Sequence, residues 1–145
     1  MAFLRNPSFE LGMQFWTPIN FAPDVTFTVG PSVNPPPVTG ANIASVVSLV
    51  SDGSIGQDVV DINVPSVSCF AYVSSVTASS GSLAIWNLSL PRGVPGSVSS
   101  TPFTATPDWQ LVRNTLDIGG QASVRVEIYL ATAGGQLSID YVNLF

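Results

Sequence analysis

No stretch of this chain can sustain a helix. Apolar residues never keep the i, i+3, i+4, i+7 spacing, and Gly, Pro and β-branched residues interrupt every window. Short alternating runs bounded by turn residues replace that spacing, the pattern of an antiparallel sandwich or barrel. Strands are predicted at residues 2–5, 25–29, 43–50, 55–62, 67–77, 82–90, 109–118, 124–131 and 136–144. Residues 30–40 and 91–107 read as long loops. The first contains Pro35, Pro36 and Pro37, which cannot donate to a strand ladder, and the second is rich in Gly, Ser, Thr and Pro. With no repeat and no boundary in its 145 residues, the chain reads as one all-β domain over 1–145.

Alternation assigns faces within the strands, because successive side chains point to opposite sides. Val124, Val126, Ile128 and Leu130 point one way, and Arg125, Glu127 and Tyr129 the other. Cys69, Ala71 and Val73 share a side opposite Phe70, Tyr72, Ser74 and Val76. Leu83, Ile85 and Asn87 alternate with Ala84, Trp86 and Leu88. The expected core takes Val124, Val126, Ile128, Cys69, Ala71, Val73, Leu83 and Ile85. That leaves Phe70, Tyr72, Trp86, Tyr129, Arg125 and Glu127 on an outer face, where large aromatics call for something to cover them. Cys69, the single cysteine, reads as a buried and inert thiol.

Charge excludes several functions. Only 9% of residues are charged, against about 25% in soluble domains generally. Two readings of that deficit stay open: a Ser/Thr-rich skin, or a surface largely covered in an assembly. The basic residues are Arg5, Arg92, Arg113 and Arg125, and the net charge is −5. Four scattered arginines supply no basic stripe, so neither nucleic acid nor an anionic membrane is an expected partner. The chain has no His and no Lys, which removes His-based triads, His zinc sites and Lys nucleophiles. A glycosidase needs two carboxylates roughly 5–10 Å apart, whereas Asp24, Asp52, Asp58, Asp61, Asp108 and Asp117 fall mostly at turns or strand ends. The expectation is a protein that binds and does not catalyse. Residues 87–89 form an Asn-x-Ser glycosylation pattern, which carries little weight because the N-terminus shows no secretion signal.

Motifs along the chain occur in a recognisable order. Asn6-Pro7-Ser8-Phe9-Glu10-Leu11-Gly12 is followed by Trp16. Ser54-Ile55-Gly56-Gln57-Asp58-Val59 and Val64-Pro65-Ser66 occupy the middle. Trp109-Gln110-Leu111-Val112, Val124-Arg125-Val126-Glu127-Ile128-Tyr129 and Ile139-Asp140-Tyr141-Val142-Asn143-Leu144 close the chain. This series resembles the jelly-roll carbohydrate-binding modules of families 4, 9 and 22, with Ser66 where a Gly is usual and Cys69 where a Tyr is common. The resemblance implies an antiparallel jelly-roll β-sandwich of two sheets. It also implies that 43–50, 124–131, 67–77 and 82–90 share one sheet, so that Trp86, Tyr72, Tyr129, Phe70, Arg125 and Glu127 form one ligand-binding face. Trp16 and Trp109 match positions expected in the core. By the same resemblance Glu10 and Asp140 hold a structural Ca²⁺; the alternative is that they only hydrogen-bond backbone where the strands meet.

Two settings follow. In one, the chain is a capsid decoration or tail accessory protein on the surface of a bacteriophage virion, packed among neighbouring subunits. A start at its own Met, an end inside the last strand and the low charge favour it. In the other, it is an extracellular carbohydrate-binding module of a secreted polysaccharide-degrading enzyme. Expected partners are therefore a polysaccharide, neighbouring virion subunits, or both.

Overall fold

The computed structural model describes residues 3–145. Eight strands follow one another: β1 (Thr17–Pro18), β2 (Val25–Pro31), β3 (Asn42–Ser48), β4 (Gly53–Ser74), β5 (Ser79–Asn87), β6 (Val98–Ala105), β7 (Gln110–Leu130) and β8 (Gln136–Leu144). All pairings are antiparallel. Of the strand expected at 2–5, residue 2 lies outside the described residues. Residues 3–5 form no strand, although the Phe3 N–H donates to the Leu144 carbonyl at 2.7 Å.

Two long strands make the sandwich. β4 and β7 pair along their whole lengths, from Gly53 opposite Leu130 to Val73 opposite Gln110. Midway, the register shifts between Val59 and Ile62 and again between Val64 and Ser66. Facing these bulges stand Gly119 and Gly120, with φ of 70° and 115°, which side-chain-bearing residues rarely adopt. The ribbon bends there and each half joins a different layer. The upper layer runs β1, β4 (53–64), β7 (120–130), β5, β6. The lower layer runs β2, β3, β8, β4 (66–74), β7 (110–117). Where the sequence reads strands 55–62 and 67–77, and again 109–118 and 124–131, the structure has single bent strands.

This topology corrects the single-sheet expectation. Residues 124–130 and 82–87 pair in the upper layer, while 43–48 and 67–74 belong to the lower layer. Residues 98–105 of the expected 91–107 loop form β6 on β5. Its Pro102 is tolerated because β6 is an edge strand, where a missing N–H interrupts no ladder.

Between the layers, Val124, Val126, Ile128, Cys69, Ala71, Val73, Leu83 and Ile85 are all buried, as their alternation requires. Burial pushes the Cys69 thiol well up, so it stays protonated and unreactive. The buried Asn114 side chain joins the layers by donating to the Leu83 carbonyl at 3.1 Å. At the N-terminal end, Phe9 packs on Trp16 and Phe27 with ring centroids 5.4 and 6.2 Å apart. Asn6 organises this segment: its amide donates to the Gly12 and Gln14 carbonyls and its carbonyl oxygen accepts from Leu11 N–H. Trp16 is buried and donates to the Asn6 carbonyl. Trp109 is only partly buried, against expectation, because its indole reaches the 32–41 loop and donates to the Pro36 carbonyl at 2.7 Å.

Glu10 and Asp140 fix that loop. Asp140 Oδ2 accepts from Val38 and Thr39 N–H at 2.8 and 3.1 Å, and Oδ1 from Tyr141 N–H at 2.8 Å. Glu10 Oε1 accepts from Ala41 and Asn42 N–H at 2.7 and 3.1 Å. Gly40 passes so close to Glu10 that a Cβ there would collide with the carboxylate. Ca²⁺ takes six to eight oxygen ligands. Here most of the carboxylate oxygens face N–H donors, and no group of three or more His, Cys, Asp or Glu gathers among the described residues. This donor set suits a backbone clamp and fits an ion cage poorly.

We expect Asp140→Ala to leave three N–H groups without their acceptor and to cost about 2–4 kcal/mol, roughly 5–10 °C in Tm. A chelator should leave the melting curve of the native chain unchanged; a chelator-dependent fall in Tm would restore the ion. Burial, working against the three N–H groups, holds the Asp140 carboxyl above its ordinary value. The folded chain thus binds this proton more tightly than the unfolded chain. Its stability contribution is full below the ordinary carboxylate value and is lost as pH rises through the raised folded value. Urea melts of the native chain and Asp140→Asn, from about pH 3 to about pH 7, should show the native chain gaining relative to the variant toward low pH.

Candidate functional site

The outer surface of the upper layer gathers the polar and aromatic residues. Trp86 on β5 lies opposite Arg125 on β7, which lies opposite Asp58 on β4. One register step along, Ala84, Glu127 and Gly56 form the next row, and Ser82, Tyr129 and Ser54 the row after. Period-two alternation puts Arg125, Glu127 and Tyr129 outward because Val124, Val126 and Ile128 are drawn inward.

Contacts on this face are specific. Trp86 Nε1–H donates to the Tyr129 hydroxyl at 3.1 Å. Arg125 forms a forked ion pair with Asp58, Nε to Oδ1 at 2.6 Å and Nη2 to Oδ2 at 3.1 Å, and this bond raises its pKa further. Glu127 is buried beneath the face, with only 1% of its surface exposed. The Ser54 hydroxyl donates to its Oε2, while its Oε1 is buried without a hydrogen-bond partner. Burial first, then the Glu127 charge, pushes the Tyr129 hydroxyl up to about 12, so it stays a neutral donor and acceptor.

Two irregular segments frame the face. From the segment after β5, the Arg92 guanidinium lies 4.7 Å from the Trp86 ring centroid. At the other end, the Arg5 guanidinium lies 5.3 Å from the ring of Phe15, which is 46% exposed. Arg5 is placed by two reciprocal bonds between its backbone and the Gln57 side chain, at 2.8 and 2.9 Å. A cleft of about 460 Å³ separates this end from the centre of the face, lined by Arg5, Phe15, Ile19, Asp58 and Arg125 among others. Arg92 falls in the segment read as the 91–107 loop, and Arg5 falls in a strand expected at 2–5 whose residues 3–5 form no strand, so strand alternation places neither of them on this face.

Phe70 and Tyr72 do not join this group. Both lie on the outer side of the lower layer, because β4 has passed its bend before reaching them. Phe70 packs there on Tyr141 and Phe145, with centroids 5.5 and 5.6 Å apart. The six residues expected to form one face thus divide into Trp86, Tyr129, Arg125 and Glu127 above, and Phe70 and Tyr72 below. Asp140 lies opposite Tyr72 in the β4–β8 register and is buried, and with Glu10 it engages the 38–42 loop. Asn87 of the glycosylation pattern is buried, and its side chain accepts from Ser89 N–H, which removes it as an accessible acceptor.

The sequence matches no family model and no curated protein. Solved structures do match. TmCBM61 in complex with β-1,4-galactotriose superposes with a TM-score of 0.70 at 18% identity, covering 100% of this chain and 98% of that one. The CBM22-1 xylan-binding domain of Paenibacillus barcinonensis Xyn10C gives 0.69 at 15%, covering 94% and 89%. The enzymatically active domain of bacteriophage CBA120 tailspike protein 4 gives 0.68 at 12%, covering 99% of this chain and 21% of that one. The chain therefore has the all-β antiparallel sandwich fold found in carbohydrate-binding modules.

Proposed function

We propose that this domain binds a polysaccharide, without catalysing its cleavage, on the outer face of the upper layer. The observation that carries the proposal is the partly exposed Trp86–Tyr129 pair beside the Arg125–Asp58 fork, on the outer side of one sheet of a fold that also serves saccharide-bound modules. Sugars offer apolar C–H surfaces to aromatic rings and hydroxyls to polar groups.

The setting that the similar structures favour is a module beside a polysaccharide-acting catalytic domain. A CBM22-1–GH10 xylanase complexed with xylohexaose is among them, with a TM-score of 0.71 at 11% identity and 28% of that chain covered. A role on a phage virion draws on the low charge content and on the likeness to the tailspike domain, 21% of whose chain is covered. For catalysis the face offers little: Asp58 is committed to Arg125, and Glu127 is buried.

Affinity electrophoresis against xylan, β-1,4-galactan and a panel of acidic polysaccharides tests the proposal. Trp86→Ala should weaken retardation at least tenfold, or ~1.4 kcal/mol, while Tyr72→Ala on the other layer should leave it unchanged. Loss with Tyr72→Ala and not with Trp86→Ala would move the site to the lower layer. Retardation by none of the polymers would overturn the proposal.

A further inference from the structure

From the charges along the upper face we infer that its ligand is an acidic polysaccharide, a chain carrying uronate carboxylates. The inference rests on the saccharide-binding reading of the same face and names the ligand class. Three of the chain's four basic residues, Arg5, Arg92 and Arg125, lie on or beside this one surface, although the net charge is −5. Arg113, the fourth, is on the lower layer opposite Phe70. The acids of this layer leave the outer cations without an ion pair, and exposed Asp61, at the bulge of β4, pairs with neither of them. Asp58 pairs with Arg125, and Glu127 is buried. Among the described residues that pair is the one ion pair, so Arg5 and Arg92 have no carboxylate partner there.

Both lie over aromatic rings. The Arg92 guanidinium sits over Trp86 and that of Arg5 over Phe15, a cation–π contact that holds each cation beside the face and uses none of its N–H donors on a carboxylate. Stacking has a consequence at Trp86. A ring covered by a guanidinium no longer offers that face to the C–H groups of a neutral sugar. It offers a planar fork of N–H donors, whose geometry matches a carboxylate. Trp86, Arg125 and Asp58 stand on neighbouring strands, so the row spans about 10 Å before the cleft that holds Arg5. A polysaccharide laid across the strands would meet one stacked arginine at each end, with the neutralised Arg125–Asp58 pair between them.

The test uses the full chain against polygalacturonate, alginate and hyaluronan, each beside a carboxyl-reduced form of the same polymer, and against xylan and β-1,4-galactan. Binding to at least one acidic polymer is expected, and it should be lost on carboxyl reduction. Arg92→Gln and Arg5→Gln should each weaken it at least fivefold, and Arg113→Gln should not. These residues can be changed without touching the core, and melting curves of the variants verify that. A neutral ligand makes the opposite prediction, because removing Arg92 would uncover Trp86 and hold or improve affinity. Binding to a neutral or carboxyl-reduced polymer that needs Trp86 and survives Arg92→Gln would overturn the acidic ligand and leave the saccharide site standing. Binding to no polymer at all would overturn both.

Discussion

The antiparallel pairing of β4 with β7 supports everything else in this fold. It begins with Gly53 opposite Leu130 and ends with Val73 opposite Gln110, and each remaining strand attaches to one half of it or to a strand already attached. A flat ribbon of that length would leave both of its faces half-solvated. The bulges near Val59–Ser66 and the positive φ of Gly119 and Gly120 turn it on itself, so that the inward residues of its two halves share one core. Bending also decides which residues can meet. Arg125 and Phe70 are both outward residues of the same ribbon, yet the bend puts them on opposite sides of the molecule.

That dependence explains what can be read from the chain alone. Alternation identifies the inward residues of β4, β5 and β7 correctly, because burial of Val, Ile and Leu is a local demand that each strand satisfies separately. It carries no information about which strands become neighbours. Grouping Phe70 and Tyr72 with Trp86 requires a sheet assignment, and the bend that contradicts it is written in two glycines and a pair of bulges that leave only a faint trace in sequence. The strand at 98–105 reads as a loop because of Pro102 and the Ser/Thr run, and an edge strand need satisfy only one neighbour.

The residues of the candidate face divide along the same line. Those that alternate within strands, Trp86, Arg125, Glu127 and Tyr129, can be named from the sequence. Arg5, Phe15 and Arg92 come from irregular segments, and their positions depend on contacts distant in sequence, such as the reciprocal bonds of Arg5 with Gln57. The opening motif is a further case. Asn6, Phe9, Glu10 and Trp16 are legible as a pattern, and in the structure each has a mechanical role. Asn6 closes the turn, Phe9 and Trp16 fill the end of the core, and Glu10 secures the loop at Ala41.

The low charge content takes on a different meaning once the faces are known. Spread evenly, so few charges would say only that Ser and Thr cover the surface. They are not spread evenly, since the arginines concentrate on the upper layer. Their placement is tied to strand register. A slip of one residue between β7 and β5 would turn Arg125, Glu127 and Tyr129 into the core and expose Val124, Val126 and Ile128. A buried unpaired guanidinium at Arg125 would cost far more than the exposed apolar side chains. The residues that compose the face therefore help to specify the register that displays it, and the core and the site are two consequences of one alternating strand.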